Sequence, residues 1–179
     1  VADTTAMKAL AVKNPGVQVR LSGTNGGTFI LAVRNNTTTP LAGRGVVWLP
    51  RGTNTDTVWV RTEYLENPRK VNVLWAGARP DSADPVGTTN AINRCGLFLS
   101  QSTFWGTVDF PAGVFLVDST VGYHPIYLYP NVMYKGIPGR TILRRVTALT
   151  DLAPVVRNIV DSAVALVNRN YHVYGLTVI

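Results

Sequence analysis

Trp75-Ala76-Gly77-Ala78-Arg79-Pro80-Asp81, a helix-forming stretch from about Thr88 to Leu99, and then Gly106-Thr107-Val108-Asp109-Phe110-Pro111-Ala112-Gly113-Val114-Phe115-Leu116-Val117 follow one another in this chain, and their order decides the fold. Thr88 or Thr89 can accept from a free backbone amide and open a helix, to which Ala91, Ile92, Cys95, Leu97, Phe98 and Leu99 give a broad apolar stripe. A stripe that wide belongs to a helix that covers something. After Gly106 the pattern turns β-rich, with Thr107 to Phe110 and Val114 to Val117 split by Pro111-Ala112-Gly113, a break that suits neither a helix nor an unbroken central strand. Short apolar runs recur at Ile126 to Tyr129, Val132 to Tyr134 and Thr141 to Leu143, each closed by Pro or Gly, and again over Tyr171 to Ile179. Short strands separated by turns at this rhythm predict a solenoid, whose coils bury their apolar faces only by stacking on one another.

The same segments, continued through Ile126-Tyr127-Leu128-Tyr129-Pro130-Asn131-Val132-Met133-Tyr134-Lys135-Gly136 and Gly139-Arg140-Thr141-Ile142-Leu143, resemble the opening of the pectate-lyase-like right-handed β-helices of phage tailspikes and related polysaccharide depolymerases. The resemblance spans Trp75 to Leu143. Many members of that family follow Gly-Ala-x-x-Asp with Gly and then with paired Asp before the helix, whereas this chain has Asp81-Ser82-Ala83-Asp84-Pro85-Val86-Gly87. The loop is altered, so the family's hydrogen bonds there do not carry over although the topology does, and Asp81 and Asp84 read as loop and helix-entry acceptors. With a covered start and an apolar β run at Ile179, the expected stack continues beyond this sequence, because an exposed apolar edge invites aggregation.

The first seventy or so residues have another character. Asp3 or Thr4 can cap a short helix carrying Met7 and Leu10, and four β-prone runs follow: Val17 to Leu21, Thr28 to Val33, Gly45 to Leu49 and Thr57 to Tyr64. Ser22-Gly23-Thr24-Asn25-Gly26-Gly27 joins the first two as a hairpin, while Asn35 to Pro40 and Arg51 to Asn54 make longer loops. This is a small antiparallel unit with one helix, and it resembles the neck or particle-binding module that precedes the β-helix in many tailspikes.

Composition limits the alternatives. Hydrophobic residues make up 46% of the 179 and charged ones only 15%, enough apolar content for a core with few charges left for a surface. No stretch approaches the roughly 20 apolar residues of a membrane span, and the start lacks the basic-then-apolar order of a secretory signal. Cys95 is the single cysteine, so a disulfide framework is excluded, and on the covering helix it reads as a buried thiol and not a nucleophile.

Glycan hydrolysis usually places two carboxylates across the scissile bond. The acids here are Asp3, Asp56, Glu63, Glu66, Asp81, Asp84, Asp109, Asp118, Asp151 and Asp161, and no spacing among them marks a pair. Asp109 and Asp118 come nearest, on or beside consecutive coils, yet Asp109 alternates with Val108 and Phe110 and so faces solvent, and Asp118-Ser119-Thr120 makes an ordinary turn. His124 and His172 stand apart from any zinc-ligand spacing. Gly136-Ile137-Pro138-Gly139-Arg140-Thr141 lacks the Gly-Lys-Ser/Thr ending of a phosphate loop, and Asn35-Asn36-Thr37-Thr38 reads as a Thr-rich loop rather than as glycosylation acceptors in use. Charge supplies the main rival: Lys and Arg number 17 against 10 Asp and Glu, and Lys135, Arg140, Arg144 and Arg145 cluster, so nucleic acid enters as a partner. It is the weaker reading, because Trp48, Trp59, Trp75 and Trp105 sit as core or junction residues would and no base-reading module is present.

The expected fold is thus mainly β: a small N-terminal α+β anchor domain at residues 1–66, a linker at 67–80, and at 81–179 a capping helix with the first coils of a right-handed parallel β-helix, a solenoid. The resemblance implies the virion-attachment and trimer-assembly part of a phage tailspike or tail fibre, located in the virion and acting at the host cell surface. Its implied partners are two further copies in a homotrimer, tail or baseplate proteins through the N-terminal domain, and host surface polysaccharide through the downstream part, which would be a glycosidase or lyase if it cuts. No catalytic residue, cofactor, metal or membrane insertion is assigned to this segment. The alternatives are the start of a secreted bacterial polysaccharide lyase or epimerase, and a basic nucleic-acid-binding virion protein.

Overall fold

Alternation of large apolar residues with smaller or polar ones sets up the first sheet. In the computed structural model the described residues are 4–10, 14–22, 26–34, 45–51, 54–81, 83–101, 105–118, 126–146, 156–158 and 172–179. The N-terminal part runs α1 (Thr4–Lys8), β1 (Gln18–Leu21), β2 (Gly27–Val33), β3 (Trp48–Arg51), β4 (Asn54–Arg61) and α2 (Thr62–Glu66). Its strands form one antiparallel sheet in the order β1-β2-β4-β3. Phe29, Leu31 and Trp59 face Met7 of α1 in one apolar cluster. Trp48, Val58 and Val60 turn the other way, into a larger core. With both faces covered, the central strands are apolar on both sides, which is why Val58, Trp59 and Val60 run consecutively.

The expected run from Thr57 to Tyr64 ends earlier, at Arg61. Thr62 to Glu66 turn into α2, with Glu63 in its favoured place in the first turn, and Tyr64 is buried against Phe98, ring centroids 5.6 Å apart and edge-on.

Beyond α2 every strand pairing among the described residues is parallel. The elements are β5 (Lys70–Asn72), a 3-10 turn at Val73–Ala76, α3 (Pro85–Ser100), β6 (Gly106–Asp109), β7 (Gly113–Val117), β8 (Ile126–Leu128), β9 (Val132–Lys135), β10 (Thr141–Arg145), β11 (Val156–Asn158), β12 (His172–Tyr174) and β13 (Leu176–Val178). They make three sheets, ordered β5-β6-β9-β12, β7-β10-β13 and β8-β11. Followed from β6, the chain visits the first, second and third sheets in turn, then the first, second and third again, then the first and second. Each circuit adds one parallel strand to each sheet it visits. Inward positions stay in register from circuit to circuit: Val71, Val108 and Tyr134 align in the first sheet and Phe115 and Leu143 in the second, all buried.

The run read as one strand from Tyr171 to Ile179 is two, β12 in the first sheet and β13 in the second. Gly175 turns the corner between them with φ of 67°, a left-handed conformation that glycine adopts without steric cost. The stretch 67–80 carries β5 and the 3-10 turn, and Val71, Val73, Ala76 and Ala78 within it are buried. One apolar cluster runs through Trp48, Val60 and Tyr64 of the N-terminal part and Val71, Ile92 and Phe98 beyond it.

The helix starts before Thr88. Asp84 is its cap, accepting from the Gly87 amide at 2.8 Å with Pro85 at the first helical position, whereas Thr88 and Thr89 are buried inside the helix. Thr89 serves another purpose: its hydroxyl donates to the Pro85 carbonyl at 2.9 Å and accepts from the Asp118 amide at 3.0 Å. Asn93 likewise accepts from the Tyr127 amide of β8 at 2.8 Å, and Arg94 donates to the Ala76 carbonyl. The helix thereby buries its stripe on the parallel sheets and satisfies edge amides that would otherwise be orphaned. Cys95 lies fully buried in that contact, and burial pushes its thiol up to about 12.

Candidate functional site

Pairing of β5 with β6 sets Lys70 beside Thr107 and Asn72 beside Asp109. Because Val71 and Val108 point inward, these four residues occupy the outward face of the sheet. Lys70 Nζ lies 2.5 Å from Asp109 Oδ2, with the lysine side chain 53% exposed and the aspartate 19%. Glu63 of α2 and Asn67 just after it stand alongside, and Trp75, from the 3-10 turn, closes the end. Glu63, Asn67, Lys70, Asn72, Trp75 and Asp109 line a cleft of about 270 Å³ at the seam between the antiparallel and parallel parts. A shallower depression of about 700 Å³ on the antiparallel side, reaching Arg20 and Thr28, shares Glu63 with it.

The seam is braced from behind by Arg61. Its guanidinium packs over the Phe29 ring at 4.6 Å and over the Trp75 ring at 5.3 Å from the centroids, and it donates to the Gly26 carbonyl at 3.0 Å. Only 3% of Arg61 is exposed. Burial lowers its pKa to about 10 while the Glu63 carboxylate opposes the shift, so it remains a cation at neutral pH. A Cβ at Gly27, where φ is 153°, would come within 2.5 Å of the Arg61 guanidinium, so a side chain there would have to displace it from its contacts. Asn72 holds the 3-10 turn by accepting from the Leu74 amide at 2.9 Å, which leaves its NH₂ group uncommitted by that bond. The cleft thus offers an indole, two carboxamides, an ion pair and a second carboxylate on a fixed frame.

Of the two acids compared from the sequence, Asp109 lies in this cleft and Asp118 does not. Asp118 follows β7 in another sheet, its amide bonded to Thr89 of α3. Glu63, Asn67, Lys70 and Asn72 escaped the sequence reading because only the long-range pairing of β5 brings them to Asp109. Trp105, read as a core or junction residue, sits at the junction just before β6 and not in the core: it is 44% exposed, its ring tilted at 59° to that of His172 with 5.0 Å between centroids. His172 of β12 aligns with Met133 of β9, which aligns with Thr107 of β6, so the ring of Trp105, just before β6, meets His172 across the width of β9. His124 and Asn35 to Thr38 lie outside the described residues.

Lys135 ends β9, Arg140 sits in the following turn, and Arg144 and Arg145 end β10, so the basic residues are divided between two sheets. The turn from Gly136 to Thr141 is closed by its own side chain: the Thr141 hydroxyl accepts from the Ile137 amide and donates to the Pro111 carbonyl, both at 2.9 Å. Among the described residues no three His, Cys, Asp or Glu side chains converge as a metal site would require, and no helix is long and apolar enough to cross a membrane.

No family model matches this chain, and no curated protein does. Among solved structures it is similar to the tailspike protein gp49 of Acinetobacter baumannii bacteriophage Fri1, a capsular polysaccharide depolymerase, with a TM-score of 0.47 and 13% sequence identity. The match covers 98% of this chain and 27% of that one, so the chain spans about a quarter of the tailspike's length.

Proposed function

We propose that this chain is the N-terminal attachment and assembly part of a phage tailspike or tail fibre, whose complete form binds host surface polysaccharide. In this reading residues 1–66 are the anchor, 67–80 the joint, and 81–179 the helix-capped first coils of a right-handed β-helix. The observation that carries it is the cyclic order of the parallel sheets beneath α3. Strands β6 to β13 step through three sheets in unchanging sequence, and α3 covers the end where β6, β7 and β8 begin the circuits. At the opposite end β11, β12 and β13 have no further strand on their outer edges among the described residues, and Val173 and Val178 are exposed there. A stack closed on one side and open on the other accepts more coils. The residue pattern from Trp75 to Leu143 supplies the link to tailspikes.

The test is particle incorporation of the full-length parent with and without residues 1–66. Loss of incorporation by the truncated protein, with binding to the host surface retained, is the expected result. Full incorporation without those residues would remove the attachment role.

A further inference from the structure

We infer that the seam cleft binds an uncharged sugar residue, which places a saccharide subsite within this segment itself. The inference stands on the cleft alone and does not depend on the attachment reading. Its size admits one small ring: about 270 Å³, open on one side. Its chemistry is divided as a sugar's is, with Trp75, whose ring also carries the Arg61 guanidinium, offering an apolar wall and the Asn67 and Asn72 carboxamides, Glu63, Asp109 and Lys70 offering hydrogen-bond donors and acceptors around it.

Charge selects among ligands. Glu63 and Asp109 contribute two negative charges, Lys70 one positive, and Arg61 behind Trp75 a second, so the balance near the cleft is zero. Two carboxylates at the wall disfavour a phosphate or a uronate, and the two cations disfavour a free metal ion or amine. A neutral ligand that both donates and accepts hydrogen bonds, as sugar hydroxyls do, suits that lining. The frame is also preorganised. The β5–β6 pairing fixes three of the lining residues, and Trp75 is held by Arg61, itself clasped by Phe29 and the Gly26 carbonyl. Little ordering is left to be done on binding.

The test is titration of the intact protein with a panel of neutral probes (glucose, galactose, N-acetylglucosamine and their trisaccharides), read by saturation-transfer NMR and calorimetry, with glucuronate and inorganic phosphate as charged comparators. Saturable binding of at least one neutral probe is expected, weakened at least tenfold by Trp75→Leu and by Asn67→Ala. Because Trp75→Leu removes a ring that Arg61 packs on, Asn67→Ala is the decisive variant; Asn67 is exposed and its side chain can be shortened without touching the core. Absence of binding by every neutral probe, preference for phosphate or glucuronate, or affinity unchanged in Asn67→Ala would each overturn the inference. None of these results bears on particle incorporation, so the two readings fail separately.

Discussion

Replacing Gly175 by alanine tests whether successive circuits of the parallel region touch as closely as described. Gly175 and Gly139 share φ of 67°, but a Cβ at Gly139 would meet nothing within 4 Å, whereas at Gly175 it would lie 2.5 Å from the Gly136 carbonyl oxygen. The left-handed backbone costs an L-residue roughly 1–2 kcal/mol. Alanine recovers about 0.4–1 kcal/mol by stiffening the unfolded chain. Gly139→Ala should therefore destabilise by about 0–1.6 kcal/mol. At Gly175 the same backbone cost is joined by displacement of the neighbouring strand corner, an overpacking of about 1–3 kcal/mol, so the loss should reach about 2–4 kcal/mol. Gly136→Ala isolates the steric part, because Gly136 has no positive φ, yet a Cβ there would come within 2.5 Å of Leu176 and 2.7 Å of the Gly175 carbonyl oxygen. Urea unfolding of the three variants, followed by circular dichroism and tryptophan fluorescence, gives the differences directly. Equal losses for Gly139→Ala and Gly175→Ala would refute the stacking of the β9–β10 corner on the β12–β13 corner.

Three further outcomes are expected. Tyr134→Phe deletes a buried hydroxyl that donates to the Tyr127 carbonyl at 2.8 Å, and should cost about 2 kcal/mol in urea unfolding; a loss below about 0.5 kcal/mol would show that the carbonyl finds another partner. Asp84→Ala removes the cap of α3 and should cost about 1 kcal/mol, with Asp84→Asn nearly neutral; equal losses for both would point to charge rather than the cap. The Cys95 thiol is held at about 12, against 9.0 when unperturbed. In that window the unfolded chain loses its thiol proton while the folded chain keeps it, so this group's stabilisation is complete below pH 9 and declines as pH rises toward 12. Alkylation at pH 8 should accordingly be negligible in the folded protein and rapid in urea; prompt labelling without denaturant would contradict burial of Cys95 between α3 and the sheets it covers.

Some of this arrangement was legible in the residues and some was not. The stripe of Ala91, Ile92, Cys95, Leu97, Phe98 and Leu99 marked a covering helix, and all of these are buried except Leu97, which is 42% exposed on the outer side of the helix. Val108, Phe115, Val132 and Leu143 marked short β runs through local alternation, which a sequence displays directly. The helix start was misplaced because Thr88 and Thr89 are good caps by type, whereas Asp84 followed by Pro85 is the cap in place, and Thr89 is spent on the Asp118 amide. Strand β5 is three residues long, too short for a period to register, and is defined by its partner β6. The cleft was invisible for the same reason. Its residues come from α2, β5, the 3-10 turn and β6, and only parallel pairing across α3 assembles them.

The most direct test of the attachment and assembly account is the native mass of the purified full-length parent beside the intact mass of its subunit. The account predicts a subunit considerably heavier than 19.4 kDa in a homotrimer, three parallel stacks covering one another's sides under closed symmetry. A monodisperse monomer would contradict it.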